Sequence, residues 1–102
     1  MKKLIVALLF LHVAGAAIAD NDAFLKHLKS SKEPSIKDAM WMSQSHLYVG
    51  VLDNGLNRDG FAAYVCESSK DFSASPKLVK VVDIAKVKAT GKFVELGKAY
   101  CK

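Results

Sequence analysis

The sequence predicts an α+β fold: a short N-terminal helix, a β-hairpin, a central helix and a second β-hairpin. That is a ββαββ-like four-stranded sheet covered by a helix and tied by one disulfide. Three observations carry the expectation. Two valine-rich apolar runs, Leu47 to Leu52 and Leu78 to Ala85, read as internal strands. Between them the chain turns helical in period: Phe61, Val65 and Phe72 fall near one face beside Ala62 and Cys66, while Arg58, Glu67 and Lys70 turn to solvent. Finally, Cys66 and Cys101 are the only cysteines, so a disulfide has one possible pairing.

The N-terminus sets the compartment. Met1, Lys2 and Lys3 form a basic start, and Leu4 to Val13 is an apolar run broken only by His12. Ala17, Ile18 and Ala19 fit the small-x-small cleavage pattern, and acidic Asp20 follows directly. A Sec-type signal peptide over residues 1–19 is therefore expected, cut between Ala19 and Asp20, with one small α+β domain over residues 20–102. The apolar run is shorter than the roughly 20 residues that span a bilayer, and no basic stop-transfer flank follows. No stable membrane span is expected after cleavage. No cysteine follows the run, which speaks against a lipoprotein. The expected location is periplasmic or secreted, in a bacterium.

Taking 19 residues from 102 leaves 83, with 13 basic side chains against 10 acidic ones. A domain of that size buries only about two-thirds of the surface its unfolded chain exposes, so its core is marginal. The disulfide then matters. Closing a loop of about 36 residues contributes roughly 3–4 kcal/mol in the chain-entropy model. A redox thiol would more often sit in C-x-x-C and a structural zinc would need three or four close ligands; neither pattern is present.

In chain order, Asp20 to Ser31 reads as a helix, capped by Asp20, Asn21 and Asp22, with Phe24, Leu25 and Leu28 as its apolar stripe and His27 solvated. Ser30 to Ser35, with Pro34, is a linker. Ser35-x-x-Asp38 resembles a capping box and argues helix for residues 36–42. The polar turn Ser43-Gln44-Ser45 and the strand after it argue for a hairpin strand, which is favoured. Leu47 to Leu52 has two largely apolar faces and reads as a central strand, with Gly50 leaving room for a neighbour such as the N-terminal helix. Asp53-Asn54-Gly55 is a turn, and Asn57 or Asp59 caps the next helix, which should end near Asp71. After Leu78 to Ala85, a turn at Ala89 to Lys92 leads to a last strand, Phe93 to Leu96, and a tail from Gly97 to Lys102. The strand–helix–strand unit leaves parallel and antiparallel pairing of the two internal strands open.

Catalytic and metal motifs fail on named residues. Asp53 to Asn57 alternates oxygen ligands as calcium loops do, but glycine stands at the third position, Arg58 at the sixth and Tyr64 at the twelfth. Gly55 to Gly60 lacks the Lys-Ser/Thr that a phosphate loop needs. His27 and His46 are the general-base candidates after position 19, and no nucleophile elbow accompanies them. No enzyme activity, cofactor or metal is expected, and the scattered lysines do not form the basic stripe of a nucleic-acid binder.

The remaining expectation is a disulfide-stabilised binding module, such as an inhibitor or accessory subunit, for an unknown protein or envelope component. Its candidate binding residues are Asp53, Asn57, Arg58 and Asp59, at a helix N-terminus where a fork-shaped guanidinium joins free backbone N–H groups, and Trp41. An envelope-surface or polyanion binder is the alternative; a small hydrolase or secreted effector is the second.

Overall fold

The structure, a computed structural model, describes residues 20–102. The expected signal peptide and its cleavage after Ala19 lie outside the described residues. The chain forms α1 (residues 20–28), β1 (Ile36–Trp41), β2 (His46–Val51), α2 (Asp59–Ser69), a 3-10 turn (Lys70–Phe72), β3 (Leu78–Asp83), α3 (Ile84–Thr90) and β4 (Glu95–Tyr100).

The four strands lie in the order β1-β2-β3-β4. The outer pairs are antiparallel and the central pair, β2 with β3, is parallel. Parallel neighbours cannot be joined by a tight turn, and α2 supplies the crossover. Residues 36–42, ambiguous in sequence, take the extended form: Ile36–Trp41 pairs with β2, with an irregularity between Ile36 and Asp38.

Alternation along the strands sorts the side chains onto two faces. Leu47, Val49 and Val51 from β2 and Val79 and Val81 from β3 point to one side, where Ala62, Val65 and Cys66 of α2 meet them. Phe24 and Leu28 of α1 are fully buried in the same cluster. Burying each stabilises by about 1.5–3 kcal/mol, which holds a helix too short to persist alone. Phe24 packs on Phe72 at 5.5 Å between ring centres. Cys66 and Cys101 are bonded, with Cα atoms 5.3 Å apart, so the C-terminus is tied to α2.

The second half of the chain departs from the sequence expectation in three ways. The strand predicted to Ala85 stops at Asp83, because the Asp83 carboxylate accepts from the N–H groups of Ala85 (3.0 Å) and Lys86 (3.3 Å) and starts α3. Gly91, read as a hairpin turn, is instead the left-handed cap of that helix, at φ 74°. The last strand is Glu95–Tyr100, not Phe93 to Leu96, so the residues expected as a tail complete the sheet.

Two glycines mark close approaches. A Cβ on Gly50 would lie 2.9 Å from Ile84 Cδ1, so this gap admits α3 rather than the N-terminal helix. A Cβ on Gly97 would lie 2.2 Å from the backbone carbon of Arg58, so β4 docks directly on the start of α2.

Candidate functional site

The loop from Asp53 to Asp59 spends most of its polar groups internally; Arg58 Nε is the exception, buried without a hydrogen-bond partner. Asp53 Oδ1 accepts from the Gly55 N–H at 2.9 Å and Asn54 Oδ1 from the Leu56 N–H at 3.1 Å, two successive side-chain turns. Asn57 Oδ1 accepts from the Asp59 N–H at 2.8 Å in a third such turn, but the N-cap position of α2 is Arg58, with no side-chain cap bond, rather than Asn57 or Asp59 as expected. The Asp59 carboxylate accepts the Lys98 N–H at 2.9 Å, and the Arg58 N–H donates to the Leu96 carbonyl at 3.0 Å. Both bonds close polar groups on the free edge of β4. Arg58 Nη2 donates to the Leu52 carbonyl at 3.1 Å and the guanidinium lies 5.9 Å from the Phe61 ring centre. The structure thus brings Asp53, Asn57, Arg58 and Asp59 into one loop and employs each as a stitch.

Trp41 sits apart from that loop. It is partly buried against the core, and its Nε1–H donates to the Asn21 carbonyl at 3.1 Å, fastening α1 to β1. His27, expected in solvent, is instead wedged between Phe72, 4.8 Å between ring centres, and Glu33, 3.5 Å from Nε2 to Oε1. Glu33 is buried and also accepts the Tyr64 hydroxyl at 2.6 Å. Donating to that carboxylate holds the Tyr64 phenol above its ordinary value. The cluster joins α1, the linker and α2. Among the described residues, no three His, Cys, Asp or Glu side chains converge as metal ligands, and no helix is long and apolar enough to cross a membrane.

The face of the sheet turned away from α2 is different. One transverse row, Met40–Tyr48–Lys80–Lys98, crosses all four strands in direct register. Beside it runs His46–Leu78–Tyr100. On the other side, the row Asp38–Gly50–Val82–Glu95 is roofed at Gly50 by Ile84 of α3, with the carboxylates at its two ends exposed. Phe93, just past α3, stands edge-on to Tyr48 at 5.3 Å. The two unroofed rows expose Met40 at 48% and Tyr100 at 70%. Lys80 Nζ lies 5.7 Å from the Tyr48 ring centre and 3.7 Å from Glu95, while Lys98 Nζ lies 5.8 Å from the Tyr100 ring centre.

This surface is shallow. The cavity between Met40, Tyr48, Val82, Val87 and Phe93 has a volume of about 50 Å³, far below the roughly 300–1,000 Å³ of small-molecule sites. A cleft of about 320 Å³ lies beside the disulfide, but Lys70 on its wall is paired with Glu67 at 3.1 Å and Ser69 donates to the Cys66 carbonyl at 2.6 Å. The aromatic and methionine side chains of this face are of the kinds enriched in contact surfaces, whereas lysines are more often found at the rim of one. The sequence held one signal for it. Lys80 breaks the apolar run Leu78 to Val82 at the position where a two-residue period turns outward, in phase with Leu78 and Val82. Met40, Tyr48, Lys98 and Tyr100 join it only through strand register, which no local pattern encodes.

No family model, curated protein or solved structure matches the chain.

Proposed function

We propose that this is an exported protein whose folded part, residues 20–102, is a disulfide-stabilised binding module without catalytic activity, engaging a protein partner through the unroofed face of its sheet. The observation that carries the reading is the row Met40–Tyr48–Lys80–Lys98 with Tyr100 beside it, a mixed apolar and cationic strip that is exposed at Met40, Lys98 and Tyr100 and half-buried at Tyr48 and Lys80 between them. Large exposed apolar side chains set together on one face mark interaction sites. The Cys66–Cys101 bond supports an oxidising compartment, the bacterial periplasm or the exterior, in keeping with the signal-like residues 1–19.

The test is comparative retention. Oxidised protein recovered from the periplasm is immobilised and challenged with periplasmic and outer-membrane extract. Retention of a defined partner should survive Asp53→Ala with Asn57→Ala and fail with Tyr48→Ser and Tyr100→Ser. Loss with the loop variants and not with the tyrosine variants would return the site to the Asp53–Asp59 loop. Intact mass of the exported protein should begin at Asp20; a chain retaining residues 1–19 would contradict export by cleavage.

A further inference from the structure

We infer that the partner's contact segment is acidic and amphipathic, placing apolar side chains on Met40, Tyr48 and Tyr100 and carboxylates on Lys80 and Lys98. This rests on the preceding reading of the sheet face and adds the chemistry of what covers it.

The charge is distributed unevenly. Residues 77–102 carry seven lysines against only Asp83 and Glu95, whereas residues 20–76 carry six basic side chains against eight acidic ones. Of those two acids, Asp83 is buried as the cap of α3 and Glu95 is paired with Lys80. The two unroofed rows themselves hold no carboxylate, but Glu95, beside Val82 in the adjacent row, reaches Lys80 at 3.7 Å. A solvent-exposed pair of this kind is worth little, so Lys80 would be shared between Glu95 and an incoming carboxylate while Lys98 is open. Among the described residues, Lys98 has no carboxylate within ion-pair distance. A positive strip of this kind selects and orients an acidic partner.

The positions of the ammonium groups narrow the choice. Each Nζ lies over a tyrosine ring, so the stems of Lys80 and Lys98 are already gathered onto the surface. Less side-chain freedom is then lost when a carboxylate arrives. A second copy of this chain meeting the face symmetrically would bring Lys80 and Lys98 from both copies into one interface whose unroofed rows supply no carboxylate, which is unfavourable. A lipid surface wants apolar side chains outermost with lysines behind them; here the ammonium groups stand above the rings. A peptide with alternating character satisfies both components at once.

The probes are three fluorescent dodecapeptides with identical backbone length: glutamate alternating with leucine, glutamate alternating with serine, and lysine alternating with leucine. Oxidised, isotope-labelled protein is titrated with each and followed by chemical shifts, alongside phosphatidylglycerol vesicles and heparin. The glutamate–leucine peptide should shift Met40, Tyr48, Lys80, Lys98 and Tyr100 and bind at least ten-fold tighter than either other peptide. Lys80→Gln and Lys98→Gln should each weaken it about three-fold, and Tyr100→Ser more. Equal binding of the lysine–leucine peptide would overturn the inference while leaving the face reading intact. Preference for vesicles or heparin at the same residues would overturn both the acidic segment and the protein partner, leaving only the position of the site. Shifts confined to Asp53–Asp59, or none with any probe, would overturn both.

Discussion

Gly97→Ala is the sharpest probe of the fold, because Gly97 reads as a tail residue in sequence and as a docked strand residue in the structure. The added Cβ would stand 2.2 Å from Arg58 C and 2.4 Å from Asp59 N, both backbone atoms that no rotamer change can move. β4 and the start of α2 must separate. Two hydrogen bonds then stretch, Arg58 N–H to Leu96 O at 3.0 Å and Lys98 N–H to Asp59 Oδ1 at 2.9 Å. Each contributes about 0.5–1.5 kcal/mol, and forced overpacking costs about 1–3 kcal/mol more. The expected loss is about 2–6 kcal/mol, a large share of the roughly 4–12 kcal/mol that a domain of this size holds. Urea unfolding of the oxidised protein, followed by far-UV circular dichroism, should show the midpoint falling by roughly 2 M or more. Gly60→Ala is the internal control: its Cβ meets nothing within 4 Å in the first turn of α2, so it should be neutral or stabilise by up to about 1 kcal/mol. A Gly97→Ala protein within about 0.5 kcal/mol of the parent would refute the docking of β4 on α2.

Gly50→Ala should cost less, about 1–2 kcal/mol by the same measurement, because the atoms it meets belong to the Ile84 side chain and can yield. Cys66→Ala with Cys101→Ala should lower stability by about 4 kcal/mol, since the bond spans a separation of 35 residues; a loss under about 1 kcal/mol would contradict its structural role. The raised phenol of Tyr64, caused first by its bond to Glu33, has a definite sign. Its contribution is whole below the ordinary phenol value near pH 10 and is lost as pH rises through the higher folded value. Tyr64→Phe should therefore cost stability at pH 7 to 9 and flatten the decline above about pH 10, which denaturant titrations extended past that value will read.

The first half of the fold was legible because its signals are local. The apolar alternation of Leu47 to Val51 marks a strand, Asp53-Asn54-Gly55 a turn, and Ala62, Val65 and Cys66 a helix face. The second half misled for a physical reason. Valine favours extension, and the apolar run through Val79, Val81 and Val82 continues into Ile84 and Ala85 with no glycine or proline to break it, so nothing in the pattern marked where the strand stops. The Asp83 cap decided it, and one acidic residue at the end of a strand is a weak mark until its carboxylate is seen on Ala85 and Lys86. The short strand Glu95–Tyr100 carries Gly97 and two charges, so its strand character comes from pairing with β3 rather than from propensity. The loop Asp53–Asp59 stood out because its residues are chemically conspicuous, and that chemistry is used to join α2 to β4. Of the sheet face only Lys80 was marked locally, by its outward phase in the apolar run; its other members meet only across strands.

Methyl spectra will locate the partner directly. Met40 and Met42 lie at the unroofed face and its margin, and Leu52 and Leu56 flank the Asp53 turn; all four are exposed and absent from the buried core. In oxidised protein with labelled methionine and leucine methyls, titrated with the partner recovered from the extract, the Met40 and Met42 resonances should move while Leu52 and Leu56 stay fixed. Movement of Leu52 and Leu56 with the methionines unmoved would place binding at the loop and remove the sheet face from it.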